Sequence, residues 1–484
     1  MPDTDPTAAK TIYPDYRCGR SGLRVLQKIR RDPLAFFADL AVEGGTHAWL
    51  KLMGHPVLFL NDATAIQHVF QETQASYLKG RYNESLRPLF GFGILLSEGA
   101  LWKRQRRDIA PVFANGNFPE FTKQIGAAVD AMCRRWEKHA ESGEPININV
   151  ETMLLALDVI LRALFHEESE AAVERMQGML GVMLRLAERR IWAPISLPLA
   201  WELKLPKYRR SLRFLDSLVQ DLIREREQDR AYPEDLLSRL INTHVKTPED
   251  QRYLRDNILS FLIAGHETTA NGLAWTFYEL AKRNEIRAKI VAEVDRVAGG
   301  VSELTYDHIK QMDYTRWTFH ESLRLYPPIW TMSRETLNDH TLPLDNGDVL
   351  HVPKDVTIML CAHTVHRNEN YWQHPEAFDP ERFSPEQSEG RPKGCWFPFG
   401  GGHRLCLGFK FAEIEGIAAL AKVYQKFDLH LIPSAAPRAE PIITVRPDRP
   451  VLFRVVKRGQ KVERPQAVSV QPPPARTGGK CPFH

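Results

Sequence analysis

The stretch "FPFGGGHRLCLG", Phe397–Gly408, sets one cysteine at the end of a glycine-rich run and directly ahead of a helix-forming segment. A thiolate binds iron only where its charge is stabilised without protonation or oxidation. Backbone N–H groups do this when no side chain blocks their approach, and glycines at 400, 401, 402 and 408 give that access. A helix starting just after Cys406 would add its positive dipole end near the sulfur. The competing interpretation is an ordinary glycine turn with Cys406 as an inert core residue. The spacing F-x-x-G-x-R-x-C-x-G narrows that choice, because Phe399, Gly402, Arg404, Cys406 and Gly408 fill every fixed position.

The rest of the chain sets limits on what such a loop can serve. Its 484 residues are 43% hydrophobic and 26% charged, an ordinary globular composition. Length alone allows about three domains. No Pro/Gly/Ser-rich break interrupts the sequence, however, until a final stretch poor in large apolar residues. The expected division is an N-terminal arm over 1–30, one catalytic unit over 31–458 and a disordered proline-rich tail over 459–484. In that tail Cys481 and His484 are too few and too loosely held to make a metal site. A net charge of +4 is too small and too dispersed for nucleic acid. The N-terminus "MPDTDPTAAKTIYPDY" carries no signal peptide, and no run of about 20 apolar residues is long enough to span a bilayer. Six scattered cysteines (18, 133, 361, 395, 406 and 481) fit reduced thiols better than a disulfide framework. A cytoplasmic monomer without a membrane anchor is the expectation.

Helical periodicity dominates from about 100 to 330. The longest helix is expected to start at "TPEDQRYL", with Thr247 as N-cap, Pro248 in the first turn and Glu249 and Asp250 complementing the dipole, and to run to about Arg283. Strand-like runs lie at "HAWLKL" and "HPVLFLN", joined by a turn at Gly54–Pro56, and again after Leu325 and at "PVLFRVVKR". The fold class is mainly α within an α+β layout.

With the cysteine loop in place, the chain resembles the cytochrome P-450 family of haem-thiolate monooxygenases, with Cys406 where that family places its proximal haem ligand. Three further motifs carry the resemblance over about residues 30–458. "ESLR" puts Glu321 and Arg324 one helical turn apart, and "DPERF" supplies Arg382. By resemblance these three form a buried structural network near the cysteine loop. "AGHETT", Ala264–Thr269, sits inside the longest helix. Phe261, Ala264, Gly265, Thr268 and Gly272 share one face, with Gly265 and Thr268 favouring a kink there. Small residues at 264 and 265 leave room for a flat cofactor; a helix-packing seam is the alternative. By resemblance Thr268 and Glu267 relay protons during dioxygen activation. "WKRQR" places Trp102 and Arg106 on one face, and the family uses this pair on a haem propionate, as it does the positions of Arg334 and Arg404. Phe399, Gly400 and Gly408 complete the expected haem contacts.

The resemblance implies haem b, and insertion of one oxygen atom into an unactivated C–H bond of a hydrophobic fatty acid, steroid or terpenoid. Phe261, Ala264, Ile329, Trp330 and Ile442 are expected to line the substrate pocket, with "LFGFGILLS" beside them; Arg81 or Arg87 could hold a substrate carboxylate, though surface charge is the simpler account. No flavin or iron–sulfur motif is present, so electrons must come from a ferredoxin or flavodoxin-type partner with its NAD(P)H reductase. Lys103, Arg104, Arg107, Arg391, Lys393 and Lys410 form the expected docking face. Two other classes compete: a haem-thiolate peroxygenase or peroxide isomerase, which would not need the Glu267–Thr268 relay, and a non-catalytic haem sensor, which predicts no substrate-dependent spin change and no product.

Overall fold

Reciprocal capping starts the principal helix. The Thr247 hydroxyl accepts the Asp250 N–H at 3.2 Å, while the Asp250 carboxylate accepts the Thr247 N–H at 3.1 Å. With Pro248 in its first turn, this helix runs from Pro248 to Ala281 as one continuous element, ending just short of the expected Arg283. It is seen in a computed structural model that describes residues 11–15, 23–52, 54–71, 76–80, 83, 86–87, 91–167, 176, 181–182, 185–186, 206–228, 235–243 and 247–460. Arg81, Cys18 and the tail from 461 onward, including Cys481 and His484, lie outside the described residues.

Around the long helix pack Phe118–Ser142, Ile148–Phe165, Asp313–Leu325 and Phe409–Lys426, which share one hydrophobic core. Their apolar stripes recur at helical spacing, and burying them is what holds the bundle together. Close approach is bought with glycine: a Cβ at Gly265 would lie 2.7 Å from Ile160, and one at Gly416 would lie 2.7 Å from the Phe319 ring.

The β structure gathers mostly to one side. Its largest sheet has five strands in the order His47–Leu52, His55–Leu60, Thr357–Leu360, Met332–Thr336 and Tyr77–Leu78. Only the pairing of His55–Leu60 with Thr357–Leu360 is parallel. Val57–Leu60 are buried without alternation, as strands covered on both faces must be. The predicted turn falls one step early, so that His55 and Pro56 belong to the second strand. Thr11–Ile12 pair in parallel with Val349 and Leu350, which ties the N-terminal segment to a second sheet.

One ion cluster joins the bundle to the loops that follow it. The Arg324 guanidinium grips Glu321 through two bonds of 2.7 and 2.8 Å, and both side chains are fully buried. Arg382 approaches the same carboxylate at 3.4 Å, and the Asp379 N–H donates to it at 2.8 Å. Burial pushes the Glu321 carboxyl up, against the pull of Arg324 and these neighbours. The remaining Arg324 donors reach the carbonyls of His366, Pro375 and Ala377 at 2.7–3.0 Å. Arg324 therefore closes a long loop as well as pairing a charge. Replacing it leaves a buried carboxylate and three carbonyls short of a partner. Arg324→Ala is expected to cost about 3–5 kcal/mol of stability, read from the midpoint of urea unfolding. A midpoint that hardly moves would show that water replaces the guanidinium without penalty.

Candidate active site

The cysteine loop is shaped by what lies beneath it. At Gly402, where φ is 62°, a Cβ would sit 1.7 Å from the Phe70 carbonyl oxygen, and at Gly401 one would meet the Phe70 ring at 2.7 Å. No other residue type fits there. The loop folds back on itself: the Cys406 N–H donates to the Phe399 carbonyl at 3.0 Å, and the Leu405 N–H to that of Gly402 at 3.1 Å. The helix begins at Phe409 with Gly408 as its N-cap, slightly later than expected, and the Gly408 N–H still bonds the Cys406 sulfur. Of the free cysteines described, Cys133, Cys361 and Cys395 are buried and Cys406 is exposed. The sulfur is nonetheless densely surrounded, and this crowding pushes the thiol up, opposed by the Gly408 N–H and the Arg106 charge.

A histidine that sequence reasoning passed over links this loop to the buried ion cluster. The Phe397 N–H donates to His366 Nε2 at 2.9 Å, and His366 Nδ1 lies 3.3 Å from the Arg324 carbonyl. Those two contacts require a neutral ring protonated on Nδ1. Burial and the Arg324 charge push its pKa down to about 3.

On the long helix, Phe261, Ala264, Gly265 and Thr268 are half-buried while most residues around them are buried. The Thr268 hydroxyl donates to the Ala264 carbonyl at 2.6 Å, and Glu267 is buried beside it. His266 is also buried, with neither ring nitrogen bonded, and burial pushes its pKa down to about 4. Two glycines of this helix are also packing positions. Gly265 faces Ile160 of the neighbouring helix, so its size is explained by packing, and Gly272 is buried against Leu323 and Phe319. Phe113, not singled out from sequence, stacks on Phe261 at 5.8 Å and meets Phe411 edge-on at 6.4 Å.

Cations converge beside the loop. Arg404 stacks on the Trp102 ring at 4.3 Å, donates to the Ser97 carbonyl at 3.0 Å and pairs with Glu98. Arg106 lies over the same ring at 5.9 Å and donates to the Leu405 carbonyl at 2.8 Å. Arg334 and Lys79 complete the group, lining a small pocket with Arg404, His403 and Gly401. Burial and neighbouring positive charge push Lys79 down to about 7 and Arg334 down to about 10. Lys79 and Glu98 carry no local signal in "SYLKGR" and "LSEGAL".

Other expected site residues lie elsewhere. Trp330 is 2% exposed in a separate core, its ring 5.9 Å from that of Phe37, with its indole N–H directed at the Ile442 carbonyl at 3.4 Å. It is a packing residue, and Ile442 is buried with it. Ile329 remains half-buried. Arg391 turns inward, stacking on Trp372 at 4.3 Å and donating to the Gln387 carbonyl, so it does not serve an exposed docking face. Arg87 lies over the Phe92 ring at 5.0 Å.

A family model described as Cytochrome P-450 matches residues 23–453. Cyclooctatin synthase of Streptomyces melanosporofaciens is 30% identical over 421 residues, covering 85% of this chain and 88% of that protein. Cytochrome P-450 4A2 of Rattus norvegicus is 27% identical over 435 residues, with 84% of each chain covered. The chloroplastic protein LUTEIN DEFICIENT 5 of Arabidopsis thaliana is 29% identical over 405 residues, 78% of this chain and 66% of that protein.

Haem fits the donors found here. It needs one thiolate and partners for two carboxylates; the site offers one exposed thiol and three crowded cations, Lys79, Arg334 and Arg404, with Glu98 as the carboxylate among them. The His366 bridge makes the loop acid-sensitive. The unfolded ring takes up a proton below its ordinary pKa of 6.5, whereas the folded ring resists until about 3, so stability falls as pH drops through that window. His366→Gln is expected to remove about 1.4 kcal/mol per pH unit from the slope of unfolding free energy against pH between those values. An unchanged slope would mean that the ring is not held neutral.

Proposed function

The chain belongs to the cytochrome P-450 family and is a monooxygenase with a haem-thiolate cofactor; from that premise we propose that Cys406 supplies the thiolate and that the substrate is a hydrophobic small molecule of the fatty-acid, steroid or terpenoid class. The observation that carries the assignment is the one exposed thiol among the described residues, bonded by the Gly408 N–H and flanked by Arg106, beside a buried excess of cations. Bound there, haem activates dioxygen, delivering one oxygen atom to a C–H bond and the other to water with two electrons and two protons.

The protein's own groups do the rest. Cys406 would hold the iron as its thiolate, with the Gly408 N–H and the Arg106 charge opposing the burial that pushes its thiol up. Trp102, Arg106, Arg334, Arg404 and Lys79 would hold the two carboxylates, and Phe399, Gly400 and Gly408 would shape the loop beside the ring. Thr268 bears a hydroxyl that both donates and accepts, and Glu267 is the acid behind it; together they hold and pass protons. Phe261, Ala264 and Ile329 give the substrate an apolar, half-open surface that excludes water. Among the described residues no helix is long and apolar enough to cross a membrane. The unpaired state of the described cysteines supports a cytoplasmic setting.

The electrons require a partner protein, which we place on the face carrying Lys103, Arg107 and Lys393, all exposed. A ferredoxin or flavodoxin-type donor with an acidic surface suits that charge.

Cys406→Ser is expected to abolish the red-displaced Soret band of the reduced protein under carbon monoxide while leaving the fold intact by circular dichroism; retention of the band would remove Cys406 from the role. Reconstituted turnover then separates the remaining assignments. Lys103→Glu is expected to slow reduction by the partner and flatten its salt dependence. Thr268→Ala should leave reduction unchanged but lower product per NAD(P)H by about tenfold or more, with peroxide released instead. Equal coupling in the two proteins, or peroxide-driven turnover exceeding that with NAD(P)H, would favour a peroxygenase.

A further inference from the structure

The "GFGILLSE" segment, Gly91–Glu98, crosses from the long helix to the cysteine loop and is fastened at both ends. At the helix end, the Phe92 N–H donates to the Asp256 carboxylate at 2.7 Å and the Ile94 N–H to the Asn257 side-chain oxygen at 3.0 Å. The Asn257 amide nitrogen donates to the Tyr253 carbonyl at 2.8 Å, which leaves its oxygen turned toward Ile94. Contact is so close that a Cβ at Gly91 would lie 2.1 Å from the Asp256 carboxylate, and one at Gly93 would lie 2.1 Å from the Asp256 carbonyl and the Ser260 hydroxyl. That explains the two glycines of the motif. At the other end, the Leu95 carbonyl accepts from Lys79, the Ser97 carbonyl accepts from Arg404 at 3.0 Å, and the Glu98 carboxylate pairs with Arg404. Between these anchors Ile94 and Leu95 are half-buried against the main core.

Asn257 precedes Phe261 by one helical turn, so the strap begins beside the half-open strip of Phe261, Ala264 and Thr268. It ends on an arginine two residues from Cys406. Asp256 is itself braced: Arg255 donates to it at 2.8 Å and to Asp216, on helix Pro206–Gln228, at 2.9 Å.

We propose that Asp256 and Asn257 are positioning residues for substrate selection: through two backbone amides they clamp the strap 91–98 to the long helix, and so set how bulky a ligand the site admits beneath Ile94 and Leu95. The inference rests on the haem-site assignment above. Neither residue need touch the substrate. Releasing the clamp loosens the strap at the Phe92 and Ile94 amides, while Gln105 still donates to the Phe92 carbonyl at 2.8 Å and the cysteine loop keeps its own bonds.

The test uses the holoenzyme, with imidazole and clotrimazole as small and bulky iron-binding probes followed by their Soret shifts. Asp256→Ala should keep the carbon-monoxide band, speed hydrogen exchange at the Phe92 and Ile94 amides, and change the ratio of the two dissociation constants by about fivefold in favour of clotrimazole. Asp256→Asn, which keeps an oxygen acceptor, should restore most of the ratio. A ratio that is unchanged, or shifted toward imidazole, overturns the proposal, as does unaltered amide exchange. Should Asp256→Ala fail to take up haem, Asn257→Ala provides the same comparison with the braced carboxylate intact. A wild-type protein lacking the carbon-monoxide band would count against the haem assignment instead, and amide exchange would still report whether the strap is clamped.

Discussion

A sulfur that must carry negative charge inside a protein needs donors on its near side and rigid backbone to hold them, and the role proposed for Cys406 puts that constraint on residues 397–408. The donors are main-chain groups, so their positions depend on the path of the loop alone. The path in turn depends on Phe70, whose carbonyl and ring admit only glycine at 402 and 401. From the other side His366 fixes the first amide of the loop and hands the connection to Arg324. A buried guanidinium well away from the sulfur thus helps determine where the sulfur is.

This arrangement assigns the expensive interactions to structure and the flexible ones to function. Glu321 and Arg324 are fully buried, and a pair so placed repays its desolvation only if every donor finds an acceptor. Arg324 meets that condition with carbonyls of residues 366, 375 and 377. Its value therefore lies less in ion pairing than in bringing together the segments that support the cysteine loop.

What the sequence revealed, it revealed through local grammar. Thr247, Pro248 and Asp250 announce a helix start because capping is decided within a single turn. Cys406 and its glycines stand out because the chemistry of a thiolate site is written into consecutive residues. Arg324 and Glu321 were legible as a pair for the same reason. His366, Lys79 and Glu98 were not, since each acquires meaning from a partner far away along the chain: His366 from Phe397, Lys79 from Leu95 and Arg404, and Glu98 from Arg404. Gly265 is a subtler case. Smallness at that position was legible, but which neighbour required it depended on a helix crossing that no local pattern encodes. Trp330 misled because an aromatic beside an expected pocket reads equally well as lining or as core, and here burial against the tilted Phe37 ring decided for core.

Charge balance unites the two halves of the site. Lys79, Arg106, Arg334 and Arg404 supply four positive charges around the loop, and Glu98 offsets one. Left so, mutual repulsion and burial drive Lys79 toward neutrality and pull Arg334 below its ordinary range. With haem held there as proposed, a thiolate at Cys406 and the two carboxylates would set negative charge against them. The cations are then no longer a cost of folding but a source of affinity, because the polypeptide has already ordered them and desolvated them before the cofactor arrives. Arg404 takes part in this balance while also holding the strap through Ser97 and Glu98. Arg404, the proposed partner of a haem carboxylate, therefore anchors one end of segment 91–98, and an anion drawing it away from Glu98 would alter the hold on that segment directly.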